Sequence, residues 1–211
     1  MIEWSLAAFR ACETVRSLIV AVPPGHAGEL GGDLTVVAGG ATRAESVANA
    51  LERVETELVA IHDAARPLLT PKLVEDLVAV LEADPQAAGV IAAAPVADTI
   101  KRVAQTRAHT SAAFSIHRMK NAALAVAATE DRSRLWAAQT PQVFRTAVLR
   151  EALAVDETTR DAATDEAMLV EAGGGRVLIH PTEGENLKVT TPLDLRVAEL
   201  LLEDRCSQQR S

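Results

Sequence analysis

Tyrosine is absent from this chain of 211 residues, and phenylalanine and tryptophan together number five (three Phe, two Trp). The core is therefore aliphatic, built from Ala, Val and Leu. Cysteine is almost absent as well. Cys12 and Cys206 lie near opposite ends with no CxxC spacing and no metal-ligand cluster, which excludes a disulfide scaffold and reads as reduced thiols of a cytosolic protein. Positive charge is in deficit, with a net charge of −8 and a pI near 5.2, so a broad nucleic-acid surface is not expected. No run of about 18 apolar residues exists, so no spanning helix is expected. Met1-Ile2-Glu3-Trp4 lacks the basic stretch and apolar run of a signal peptide. No GxGxxG follows a first strand, which sets aside an NAD-binding protein. These absences leave a cytoplasmic α/β protein without nucleic-acid or membrane partners, whose anionic ligands must meet local clusters of Lys and Arg.

What is present alternates between two periods. A chain of this length buries one core, and a single domain is expected. Glu3 to about Thr14 has helical spacing, and Ser17 to Val22 is a β-branched run closed by Pro23-Pro24-Gly25. Leu34 to Val37 reads as a strand, Arg43 to Val54 as a helix and Leu58 to Ile61 as a strand. Thr70-Pro71 caps and opens a helix to about Ala83. Gly89 to Ala94 is a further strand. Helices follow at Thr146 to Ala154 and Thr164 to Ala172, the second ended by Gly173-Gly174-Gly175. Val177 to Ile179 and Leu187 to Val189 read as short strands. Thr191-Pro192-Leu193-Asp194 opens a last helix to about Asp204. Such alternation predicts a Rossmann-like α/β domain with a mostly parallel sheet. From about Lys101 to Asp131 the rhythm fails, and this excursion reads as a protruding arm or lid.

Candidate chemistry gathers at strand exits, where α/β proteins bind ligands. Leu58-Val59-Ala60-Ile61-His62-Asp63-Ala64-Ala65-Arg66-Pro67 stops an apolar strand at a carboxylate and an arginine, with two small residues between them that let a ligand approach the backbone. Gly39-Gly40-Ala41-Thr42-Arg43-Ala44-Glu45-Ser46 is either an ordinary strand-to-helix loop or an anion-binding turn at a helix N-terminus. Asp98-Thr99-Ile100-Lys101 is a polar strand exit. Arg132 to Gln142 is either a solvated loop anchored on Trp136 or a phosphate- and base-binding segment. Thr164-Asp165-Glu166 suits a helix cap, and Asn186-Leu187-Lys188 alternates on a short strand. His109, His117 and His180 have no ligand spacing, and His62 is expected to point away from Asp63 into packing.

Read in order, GGATRAESV, IHDAARP, APVADTIK, DRSRLWAAQTPQVF, ATDEA and ENLKVTTPLDLRVAE resemble the 2-C-methyl-D-erythritol 4-phosphate cytidylyltransferases of the non-mevalonate isoprenoid pathway. The resemblance covers nearly the whole chain, residues 1–211, with the arm at about 99–134. It implies transfer of CMP from CTP to a polyol phosphate, with Mg²⁺ as the metal and a homodimer whose arm reaches over the partner's site. It implies Gly40, Arg43, Ser46 and Ala64 at the cytidine nucleotide, and Asp63 at the metal and phosphates. Arg66, Thr140, Thr164 and Lys188 would line the acceptor side, with Asp63 and Lys188 catalytic. Thr99 and Arg132, in the arm region, would serve the partner's site.

The pattern departs from the family in three places. Members carry a strand, a glycine-rich triphosphate loop and a lysine ahead of the segment that resembles Ile2-Glu3-Trp4-Ser5. A start assigned too late is the expected origin of that difference, and very weak or absent turnover is expected of the 211 residues alone. Without a central strand, neighbouring strands should be left with unpaired backbone groups. The span from Lys101 to Arg132 is longer than the family's arm, and Ala41 and Thr42 stand where members often carry an acid. The alternatives to the methylerythritol enzyme are a ribitol-5-phosphate cytidylyltransferase and a non-catalytic remnant that dimerises or binds polyol phosphates.

Overall fold

The computed structural model describes residues 1–26, 32–104, 124–182 and 186–208. They fall into two compact units, Met1–Ala94 with Ala138–Ser211, and Pro95–Ala137. The stretch expected to form the arm lies inside the second unit. His109, His117 and most of the aperiodic stretch between Lys101 and Asp131 lie outside the described residues.

In the first unit the chain order is α1 (Ile2–Arg10), β1 (Leu18–Val22), β2 (Leu34–Ala38), α2 (Arg43–Leu51), β3 (Leu58–Ile61), α3 (Pro71–Ala83) and β4 (Gly89–Pro95). In the second unit β5 (Lys101–Val103) pairs antiparallel with β6 (Val126–Thr129), followed by a 3₁₀ turn at Arg132–Arg134. The chain continues with β7 (Trp136–Arg145), α4 (Thr146–Leu153), α5 (Glu157–Ala162), α6 (Glu166–Ala172), β8 (Val177–Pro181) and α7 (Pro192–Gln208).

Local chemistry accounts for the helix starts. The Thr70 hydroxyl accepts from Leu73 N–H, and Pro71 occupies the first helical position, where no N–H is needed. At α7, Asp194 accepts from Thr191 N–H at 2.8 Å while Thr191 Oγ1 accepts from Asp194 N–H at 3.2 Å, a reciprocal cap. Asp165, rather than the expected Thr164, caps α6 by accepting from Met168 N–H.

The four-stranded sheet runs β3-β7-β4-β8, with β3 and β7 antiparallel and β4 and β8 parallel. β7 corrects two expectations. The segment through Gln142 is a strand in the middle of the sheet, not a loop, and Trp136 is 38% exposed, so it anchors nothing in the core. Pleating splits the inward side chains between two aliphatic clusters. Phe144 and Ile91 face one with Leu149 and Val170, whereas Val143, Val90 and Ala92 face the other with Leu77 and Leu81. Both faces are therefore buried, as the continuous apolar runs require.

Gly89 sits where this packing is tightest: a Cβ there would lie 2.3 Å from Phe144 Cδ1 and 3.0 Å from the Val143 carbonyl. The ring is fully buried and has nowhere to go. Gly89→Ala is expected to cost about 2 kcal/mol of unfolding free energy in urea titrations.

The sheet is divided. β1 and β2 form a separate parallel pair, and β1 and β3 both line one cavity of about 780 Å³. Ile19, Val20, Val59 and Ile61 face it, and it extends to Arg43, Asp63 and Lys188. Residues 187–189 also depart from expectation. They belong to no ladder, and the segment is held by Val189 N–H donating to the Ala65 carbonyl at 2.8 Å.

Candidate functional site

The end of β3 delivers Asp63, the N-terminus of α2 delivers Arg43, and the tether from Val189 to Ala65 delivers Lys188. Arg43 Nε donates to Asp63 Oδ1 at 3.1 Å, and Lys188 Nζ donates to Asp63 Oδ2 at 2.8 Å. Burial works to raise the Asp63 carboxyl, but the hydrogen bond from Lys188 and the charge of Arg43 outweigh it and hold it below its ordinary value. Asp63 is thus a carboxylate with a cation on each oxygen.

Arg43 reaches a second acid that the sequence reading treated only as helix chemistry. Its Nη1 donates to both oxygens of Glu166, at 2.5 and 2.7 Å, and the Glu166 side chain is 1% exposed. Burial opposes the Arg43 charge, and Glu166 and Asp63 overcome that to raise its pKa. The signal in the sequence was Glu166 in the first turn of a helix, a position that usually serves the helix dipole.

Beneath Asp63 runs a polar relay. The Asp63 N–H donates to Thr140 Oγ1 at 3.0 Å, Thr140 Oγ1 lies 3.1 Å from His62 Nδ1, and His62 Nε2 lies 3.2 Å from the Arg66 carbonyl. A carbonyl only accepts, so Nε2 carries the proton and Nδ1 accepts from the threonine hydroxyl. Burial pushes the imidazole down to about 4, so it is neutral at physiological pH. His62 also meets Phe9 edge to face, with ring centroids 5.5 Å apart. It packs as expected, but it sets the direction of the Thr140 hydrogen bond as well.

Arg66 is buried and its Nη1 donates to the Asn186 carbonyl at 2.7 Å, while Asn186 Nδ2 donates to the Thr140 carbonyl at 2.8 Å. Arg66 Nε has no partner, and no carboxylate pairs with this guanidinium among the described residues. Burial lowers its pKa against the pull of Asp63. A guanidinium stays charged in a protein, so this is a desolvated cation without a counter-ion. Asn186, buried and structural to this corner, had no signal beyond its neighbour Lys188.

The loop before α2 is closed on itself. Gly40 N–H donates to Ser46 Oγ at 3.0 Å, and Ala41 N–H donates to Glu45 Oε2 at 2.6 Å. Gly40 is required here, because a Cβ would lie 2.2 Å from Glu45 Cγ. The amides that an anion-binding turn would offer are thus occupied by Ser46 and Glu45. Arg43, Ser46, Asp63, Ala64 and Lys188 line one cavity. Thr164 is exposed, and its hydroxyl faces Met168 Sδ at 4.0 Å. Thr99 and Arg132 are exposed residues of the second unit, where Arg132 Nη1 donates to the Ala97 carbonyl at 2.5 Å.

The model of the family described as 2-C-methyl-D-erythritol 4-phosphate cytidylyltransferase matches residues 1–204. The chain belongs to that family. A bifunctional IspD/IspF enzyme of Anaeromyxobacter dehalogenans (strain 2CP-C) is 42% identical over 200 residues, covering 92% of this chain and 47% of that protein. The 2-C-methyl-D-erythritol 4-phosphate cytidylyltransferase of Dechloromonas aromatica (strain RCB) is 44% identical over 183 residues, covering 84% and 70% respectively. The chain spans about half the length of the bifunctional relatives. Among solved structures, the family member from Thermus thermophilus aligns with a TM-score of 0.73 at 34% identity, over 96% of this chain and 88% of that one. The cytidylyltransferase likeness therefore extends over sequence and fold alike. No helix among the described residues is long and apolar enough to cross a membrane.

Proposed function

We propose that this cytidylyltransferase-family chain transfers CMP from CTP to 2-C-methyl-D-erythritol 4-phosphate, releasing pyrophosphate. One observation carries the reading: three cations, Arg43, Arg66 and Lys188, converge at the end of β3 in a chain of net charge −8, and Arg66 has no carboxylate of its own. Such a corner suits multiply charged phosphates.

In the reaction an oxygen of the acceptor phosphate forms a bond to the α-phosphorus of CTP as the bond to the β-phosphate oxygen breaks. Pyrophosphate leaves with that electron pair, and the step needs positioning and charge neutralisation rather than a covalent enzyme intermediate. Lys188 lies on Asp63 and is exposed, so its ammonium swings to the phosphates without rearranging the core. Arg66 holds the acceptor phosphate, and Thr140 fixes the Asp63 backbone beside it. Gly40, Ser46 and Ala64 take the cytidine side through the shape of the loop, while Thr164, Thr99 and Arg132 extend the acceptor side, the last two across a homodimer.

No group of three or more His, Cys, Asp or Glu among the described residues could hold a metal by itself. Asp63 does suit Mg²⁺, which is characteristically bound through one or two carboxylates together with substrate phosphates. When bound, the ion supplies charge neutralisation on the phosphate oxygens. A cytoplasmic setting fits the two free thiols.

The test is pyrophosphate release, with the nucleotide product identified by mass spectrometry. CDP-methylerythritol is the expected product, and Lys188→Ala is expected to lower the rate of its formation about 100-fold. Product formed from ribitol 5-phosphate but not from methylerythritol phosphate would overturn the choice of acceptor. Turnover unchanged in Lys188→Ala would overturn the site.

A further inference from the structure

Lys188 reaches Asp63 from a segment that no sheet holds. Residues 187–189 join no ladder, so hydrogen bonds between strands do not place them. The segment is pinned on either side of the lysine instead. At one end Asn186 Nδ2 donates to the Thr140 carbonyl at 2.8 Å, and at the other Val189 N–H donates to the Ala65 carbonyl at 2.8 Å. Thr140 is the shared reference. Its hydroxyl accepts from the Asp63 N–H at 3.0 Å, so the carboxylate and the segment that brings its ammonium are both tied to one residue of the inner strand β7. Asn186 meets a second cation of this corner as well. Its backbone carbonyl accepts from Arg66 Nη1 at 2.7 Å, the one hydrogen bond of that side chain among the described residues.

For stability alone the amide is a poor device. Asn186 is 5% exposed, and its side chain makes one hydrogen bond while Oδ1 is left buried without a partner. A stranded buried acceptor costs as much as such a bond contributes. What the bond does supply is place. An ammonium on a flexible four-carbon stem meets a phosphate productively only when the backbone that carries it stands at the right distance.

We propose that Asn186 is a positioning residue: by tying its segment to Thr140 it sets Lys188 and Arg66 at fixed distances from Asp63, and so aligns two cations on the phosphates of the reaction given above. The inference rests on that reading and deepens it. Asn186 acts through the two cations and not on the substrates.

A double-mutant cycle in steady-state turnover separates this role from packing. Asn186→Leu keeps the bulk of the side chain and removes the bond to Thr140. It is expected to lower kcat about tenfold and to raise the KM for methylerythritol phosphate about fivefold, with the KM for CTP unchanged. In a Lys188→Ala background the same change is expected to lower kcat by about twofold or less, because the group it places is gone. The effect on the acceptor KM, which runs through Arg66, remains. A packing defect would instead multiply the two losses in kcat to about 1000-fold and raise both KM values together. Multiplied losses, or a kcat in Asn186→Leu equal to that of the unaltered protein, overturn the proposal and leave the site reading intact. No turnover by the unaltered protein, or none lost in Lys188→Ala, overturns both. If Asn186→Leu does not fold, Asn186→Ser takes its place with the same expectations, since its hydroxyl ends one bond nearer the backbone, short of the Thr140 carbonyl.

Discussion

Arg43→Ala lowers the free energy of unfolding by about 3 kcal/mol, and adding Glu166→Gln returns most of the loss. Removing one partner of a buried ion pair typically costs about 3–5 kcal/mol because the other charge is left uncompensated. Glu166 is the stranded partner here, at 1% exposure, and Arg43 is its only cation among the ion pairs of the described residues. The expected figure sits at the low end because the Arg43 side chain is 37% exposed and its loss admits water. The double change removes the stranded charge and leaves a neutral amide in its place. A double-mutant cycle in urea checks this: additive losses would show that the two side chains are energetically independent.

Stability is also expected to fall by about 3 kcal/mol between pH 6.5 and pH 4 through His62 alone, from a folded pKa of about 4 against 6.5 in the unfolded chain. Over that window the unfolded imidazole binds a proton and the folded one resists it. The contribution is complete above pH 6.5 and fades as pH falls towards 4. The cause is burial beside Phe9, which outweighs the hydrogen bond to the Arg66 carbonyl and the charge of Asp63, both of which favour the protonated ring. His62→Gln keeps a polar side chain that does not titrate. Unfolding free energies of the two proteins should converge as pH drops through this window, and parallel curves would sink the idea.

Much of the architecture was legible where period and punctuation agreed. Thr70-Pro71 marked α3, the Thr191-to-Asp194 box marked α7, and the run to Ile61 marked β3. β7 was not legible. Its polar first half, with Arg134, Gln139 and Gln142 close by, looks solvated, yet Gln142 is buried because Asp165 accepts from its Nε2 at 2.9 Å. Residues 187–189 failed in the opposite direction: an alternating pattern read as a strand, and a single tie to Ala65 holds it instead. Asp63, Arg43 and Lys188 were candidates from their places at element ends. Glu166 and Asn186 were given no role of their own, since a first-turn acid and an amide alternating on a short strand have common local uses. Only tertiary packing, 123 residues from Arg43 and 46 from Thr140, gives them others.

The divided sheet sets a hierarchy of protection against solvent exchange. β7 lies between β3 and β4, and its residues Thr140 to Phe144 are buried, so its amides open only when the core does. β1 has β2 on one side and the cavity on the other. Its cavity-facing amides have no neighbouring strand to break away from and exchange as fast as water reaches them. In a deuterium time course the halves of this unit should therefore separate, with β1 labelled while β7 is still silent. The faster half is the one bordering the corner where Arg43 and Asp63 meet.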